Sequence, residues 1–174
     1  MAPFRFSGLA AILGALFGAL VPAFAGGADA GRFVESIYAH GHEDAVWSQW
    51  LHRAKRGAWL SRDLAAIWSR CDARATQSKD EIGALDFDIA TNSQLSWDSF
   101  KGFAVSVVSQ DDGRAVVDAR LKPGANTEPP KFDSDNVIRY DLVREGGAWK
   151  VDDVHSTIDG APWSLRKLLE DYLK

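Results

Sequence analysis

Apolar positions in the first half of the chain recur at helical spacing, and in the second half they alternate. Phe33 and Ile37 lie one helical turn apart, which predicts a helix over about Ala30 to Ala39 with both side chains facing inward. Gly41 stops it. Trp47, Trp50, Leu51 and Ala54 form a second stripe and predict a short helix from about Asp44 to Lys55, ended by Gly57. Leu64, Ile67, Trp68 and Cys71 fall at i, i+3, i+4 and i+7, one face of a third helix. Its start is signalled by Ser61 as N-cap, by Asp63 in the first turn, and by Leu60, placed to staple onto Ala65. That helix is expected to reach about Ala75.

The stretch from Thr76 to Ser99 is rich in Asp, Asn, Ser and Gln and reads as loop. A connection that long inside a compact domain is unusual and often functional. From Gly102 the period becomes two. Phe103, Val105 and Val107 alternate with smaller residues, Asp111-Asp112-Gly113 predicts a hairpin turn with Gly at positive φ, and Ala115, Val117, Ala119 and Leu121 mark the return strand. Lys122 to Pro130 is a loop stiffened by three prolines. Ile138, Tyr140 and Leu142 predict a third strand, Gly146-Gly147 its turn, and Trp149 and Val151 a fourth. Pro162 is expected to start a closing helix lined by Leu165, Leu168, Leu169 and Tyr172. The order predicts an α+β domain: N-terminal helices packed on an antiparallel sheet of about four strands, with a C-terminal helix closing it.

The first residues add a destination. Arg5 is the only charged side chain before an apolar run from Gly8 to Val21; Pro22 breaks that run and Ala23-Phe24-Ala25 offers small residues at the −3 and −1 positions. Residues 1–25 therefore read as a secretory signal peptide cleaved before Gly26, leaving 26–174 as a single domain in the periplasm or outside the cell. An uncleaved membrane anchor is the competing reading, since the uncharged stretch from Phe6 to Ala28 approaches spanning length. After cleavage no apolar run remains that would cross a membrane.

Charge narrows the partners. The formal net charge of −4 becomes −5 when Arg5 is removed. A mildly acidic surface argues against nucleic acid, whose binding needs a basic face to displace counterions. The single cysteine, Cys71, has no internal partner for a disulfide, and its place on the apolar helix face reads as a small core residue. Stability must come from packing, to which seven Trp and the five Phe beyond residue 25 contribute.

Phe33 and Tyr38 in the first helix, Asp86-Phe87-Asp88 with Asn92 and Gln94 in the long loop, Trp149-Lys150-Val151-Asp152-Asp153-Val154 in the last strand and Ser164-Leu165-Arg166 in the closing helix carry a family resemblance. Over most of Arg32 to Leu173 the chain resembles the domain-of-unknown-function family 3828, a bacterial group of small exported proteins. That group is placed in the nuclear-transport-factor-2-like superfamily. The resemblance implies a curved, cone-like sheet of the cystatin type and an exported life. It implies no established reaction, so no catalytic residue is carried over.

Two sets of residues stand out as candidate ligand-binding groups. Asp86, Asp88, Asn92 and Gln94 put two carboxylates and two amides on one loop. They lack the order and the distant Glu of a calcium loop. Either they grip a polar ligand or they hold turns by bonding their own backbone. The second set lies on the strands. If Ile138, Tyr140 and Leu142 face one way, Arg139 and Asp141 face the other, with Asp118, Arg120 and Asp153 alternating likewise. These residues either line a cavity or form a solvated face; periodicity does not say which. His40-Gly41-His42-Glu43-Asp44 imitates a zinc-hydrolase motif but has Ala45 where another His is required, and reads as a solvated helix end.

No nucleophile elbow, phosphate loop, dinucleotide fingerprint or paired-Cys motif is present. The expected function is a non-enzymatic binding domain, without cofactor or metal, engaging a protein or small ligand through a pocket or the sheet face. Arg139, Tyr140, Asp153 and the four loop residues are its candidate contacts. The alternative is a cofactor-free lyase or isomerase working with Asp86, Asp88, Tyr140 or Asp153.

Overall fold

The computed structural model describes residues 27–39, 53–80, 83–94, 99–125 and 127–174. The predicted signal segment 1–25, the His40–Asp44 motif and nearly all of the second predicted helix lie outside these residues. Within them the fold is α+β. Helix α1 spans Gly27–Ala39, α2 is a single turn at Arg56–Trp59, α3 spans Arg62–Ser78 and α4 spans Leu165–Tyr172. The strands are β1 (Phe100–Gln110), β2 (Arg114–Pro123), β3 (Val137–Glu145), β4 (Ala148–Ile158) and β5 (Ala161–Ser164). They form one antiparallel sheet in sequence order.

One face of the sheet carries the core. Ala115, Val117, Ala119 and Leu121 of β2, Ile138, Tyr140 and Leu142 of β3, and Trp149, Val151 and Val154 of β4 are all buried. Against them lie Ala30, Val34, Ile37 and Tyr38 of α1, Leu64, Ile67, Trp68 and Cys71 of α3, and Leu165 and Leu169 of α4. On α1 Ile37 is buried as predicted, while Phe33 is half-buried at the core's edge beside Trp59. On α3 the predicted face is the buried face. Truncating a fully buried leucine such as Leu64 to alanine costs about 2–5 kcal/mol, because the cavity left behind does not fully collapse.

Helix α3 starts as its sequence predicts. The Ser61 hydroxyl accepts the Leu64 N–H at 3.1 Å, satisfying one free donor of the first turn. The helix runs past Ala75 to Ser78 and stops where Lys79 turns left-handed and its N–H bonds the Ala75 carbonyl. Gly57 does not end a helix; it lies inside α2. The turn is held there by Arg56, whose buried guanidinium forks onto Asp72 at 2.6 and 3.2 Å and stacks on Trp68.

Two further expectations change. The sheet has five strands rather than four, because Pro162 opens no helix. It sits opposite Thr157 in β5, after a turn in which Asp159 and Gly160 take positive φ. Proline lacks an N–H and is tolerated on such an edge strand. Helix α4 begins only at Leu165, where the Ser164 hydroxyl accepts the Lys167 N–H at 3.2 Å. The β1–β2 turn also differs, since Gly113 does not take positive φ. The Asp111 carboxylate closes the turn instead, accepting the N–H groups of Gly113 and Arg114 at 2.8 and 2.7 Å. On the edge strand β1, Phe103, Val105 and Val107 share the face towards α1 as expected, with Val107 opposite Val117 and 42% exposed; the ladder bulges only beyond it, between Val107 and Ser109. Among the described residues no helix is long and apolar enough to cross a membrane.

Candidate functional site

The loop before β1 is built around Asp88. Its carboxylate accepts the Ala90 N–H at 2.8 Å and the Thr91 hydroxyl at 2.9 Å, and its backbone pairs with Ser93. Asn92 follows in left-handed conformation, which Asn tolerates better than most residues. Its amide nitrogen donates to the carbonyls of Thr157 and Asp135 at 2.6 and 3.0 Å, and its oxygen accepts the Trp163 indole N–H at 2.9 Å. Asn92 thereby fastens the loop to β4, β5 and the turn before β3. Gln94 donates to the Asp86 carbonyl at 3.0 Å, and the Asp86 side chain faces solvent.

Asp88 also lies near the core. Behind it the Tyr38 hydroxyl donates to the Ala90 carbonyl at 3.0 Å and shares a 2.8 Å hydrogen bond with the Tyr140 hydroxyl. Phe103 stacks on the Tyr38 ring at 4.9 Å. Burial, the larger effect, raises the Asp88 carboxyl above the ordinary aspartate value, opposed by the hydrogen bonds it accepts. Burial also holds both phenols far above the usual tyrosine value, and the negative charge of Asp88 adds to this. Tyr140 thus belongs to the core side, not to the face that carries Arg139.

On the opposite face of the sheet, five charged side chains form a connected row across three strands. Arg139 bonds Asp118 through two nitrogens, at 2.8 and 2.9 Å, and remains about half exposed. Arg139 and His155 are direct cross-strand neighbours. The His155 Nε2 lies 2.8 Å from Asp141 Oδ2 and 3.5 Å from Asp153 Oδ2. The bond to Asp141 raises the His155 pKa most, burial opposes it, and the charge of Asp153 adds to the rise.

A bulge in β4 creates this grouping. Asp141 faces Asp153 while the next residue, Leu142, faces Val151, so Asp152 is the extra residue. Asp152 turns to the Ser61 hydroxyl at 2.7 Å and the Arg166 guanidinium at 2.8 Å. Asp153 stays on the outer face, largely buried. It accepts the Ser164 hydroxyl at 2.7 Å, the Arg166 N–H at 2.9 Å and the Val154 N–H at 2.8 Å.

The seven candidate residues therefore fall into three places. Arg139 and Asp153 share the outer face, Tyr140 lies in the core, and Asp86, Asp88, Asn92 and Gln94 lie on the loop. His155 and Asp118 complete the outer row; Asp118 was legible from alternation, and so was His155, two residues beyond Asp153 in unbroken register. Among the described residues no group of three or more His, Cys, Asp or Glu side chains is placed to hold a metal ion. Cys71 is buried, donates to the Leu169 carbonyl at 3.3 Å, and has its thiol pKa raised chiefly by burial. No family model, curated protein or solved structure matches the chain.

Proposed function

We propose that this chain is an exported, non-enzymatic binding domain of the cone-like, cystatin-type architecture, working in the periplasm or outside the cell. The signal-like residues 1–25 support export, and the helix–sheet–helix order and the motifs that resemble family 3828 support the architecture. The partner, a protein or a small ligand, engages the outer sheet face. The observation carrying this reading is the row Asp118, Arg139, Asp141, His155 and Asp153. Its members hold one another in fixed geometry, and the Arg139 guanidinium still presents a half-exposed charged plane. The core side offers less, because Tyr38 and Tyr140 are buried and bonded to each other.

The test is capture from periplasmic extract by the mature chain and by Arg139→Glu, with identification by mass spectrometry and measured affinity for the purified partner. Binding that weakens tenfold or more in a folded Arg139→Glu protein supports the reading. Undiminished affinity removes the outer face as the site. A second reading, a cofactor-free lyase or isomerase, rests on the buried Asp88 carboxyl beside the Tyr38–Tyr140 pair. Turnover of any substrate that survives Asp88→Asn would exclude that assignment.

A further inference from the structure

We propose that His155 is a proton-operated clasp that joins the outer sheet face to the start of α4. The physical basis is a histidine held between two carboxylates with different duties. Asp141 is 43% exposed at its side chain and makes its contact to His155 at 2.8 Å. Asp153 is only 13% exposed at its side chain and lies 3.5 Å from the same nitrogen. It anchors α4, taking the Arg166 N–H and the Ser164 hydroxyl, while that hydroxyl in turn accepts the Lys167 N–H. Two of the free donors of the first helical turn thus depend on groups within reach of His155.

The other charged groups around the imidazole are already engaged. Arg139, directly opposite on β3, is bonded to Asp118 of β2. Arg166 of α4 is bonded to Asp152. Ser164, the cross-strand neighbour on β5, carries no charge. Protonated His155 is therefore the cation that offsets Asp141 and Asp153 together. Its deprotonation leaves two carboxylates facing one another across β3 and β4 with no cation bonded to either, the Arg139 charge acting on Asp141 only from its place on Asp118. Repulsion from the facing Asp141 then acts on Asp153 as well, and loosens the bonds it accepts from the Arg166 N–H and the Ser164 hydroxyl. The clasp is closed at low pH and opens as pH rises through the His155 titration. The direction follows because a histidine whose folded pKa is raised contributes its stability below the unfolded value and loses it above the folded one. Deprotonation also makes the outer face more negative by one charge, whatever that face binds.

Amide hydrogen exchange at Arg166 and Lys167 across the pH range of the imidazole, corrected for intrinsic rates, tests the clasp. It is measured on the mature chain alongside the NMR titration of the His155 ring. The expected result is a severalfold loss of Arg166 and Lys167 protection that tracks the His155 midpoint, with core amides such as Val117 unaffected. In Asp141→Asn the midpoint falls and the loss moves with it; in His155→Gln the protection no longer changes with pH. A His155 midpoint at the free-imidazole value overturns the proposal. So does α4 protection that ignores the titration, or that changes equally in His155→Gln. None of these outcomes depends on a binding partner.

Discussion

The carboxylate of Asp153 on β4 receives the backbone N–H of Arg166 in α4 at 2.9 Å. A strand residue thus completes the cap of a helix that begins after a hairpin turn. The same carboxylate takes the Ser164 hydroxyl, so β4, β5 and α4 meet at one buried group. Replacing Asp153 by Ala leaves the Arg166 and Val154 donors without their acceptor. A loss of about 2–3 kcal/mol is expected, since hydrogen bonds to a charged group are worth more than neutral ones and buried donors are costly to strand. Urea unfolding monitored by tryptophan fluorescence measures it. Asp86→Ala, whose side chain faces solvent, is the matched control and should shift the midpoint little.

Alkaline titration should separate the tyrosines. The chain has three. Tyr38 and Tyr140 are buried and held neutral chiefly by desolvation, while Tyr172 is raised by its bond to Asp80 but stays reachable by solvent. A phenol whose folded pKa exceeds its unfolded value stabilises the fold fully below the unfolded value near 10 and loses that stabilisation as pH climbs above it. Ultraviolet difference spectra should therefore show one tyrosinate appearing in the folded protein, and two more only together with unfolding. Three ionising in a folded chain would contradict the buried pair.

The periodic parts of this fold were legible in the sequence, and the exceptions have local causes. Helix α3 and the inward faces of β2 and β3 follow from apolar spacing alone. Pro162 misled because a proline before an amphipathic stretch resembles a helix start, and the pairing that makes it an edge-strand residue is set by the Asp159–Gly160 turn. Strand β4 departs from simple alternation for another reason. A bulge at Asp152 breaks the two-residue period, so Val151 and Val154 both face the core and the outer residues shift by one. In the loop, residue types were readable but bonding was not. Asn92 reaches carbonyls of two other elements, contacts that no local pattern encodes.

Glycine at the β4–β5 turn is open to a direct test. Gly160 has φ near 78°, and an added Cβ would sit 3.3 Å from the Phe132 ring. Gly83 has φ near 73° but open space around its Cβ position. Gly83→Ala should cost about 1–2 kcal/mol for the left-handed backbone alone. Gly160→Ala should cost more, because the ring must also shift, and Gly160→Ala in a Phe132→Ala background should recover that excess. Equal losses in the two single variants would mean that the Phe132 contact carries no energy.

Asp88 provides the sharpest test of whether the loop is structural. Its folded pKa is raised, and burial is the largest cause. The sign is then opposite to that of an ordinary paired carboxylate. The neutral form is the one the fold prefers, so the site contributes stability below the unfolded pKa and loses it as pH rises through the folded value. Asparagine keeps the same shape without the charge. Its oxygen can accept the Ala90 N–H, as the carboxylate does, and its amide can donate to the Thr91 hydroxyl oxygen. Asp88→Asn is therefore expected to be more stable than the parent at pH 7 and to lose that advantage at about pH 3, where the parent carboxyl is protonated in both states. Thermal unfolding at the two pH values gives the comparison. A neutral-pH loss of stability would mean that the bonds the second carboxylate oxygen accepts from Thr91 outweigh the cost of burying the charge.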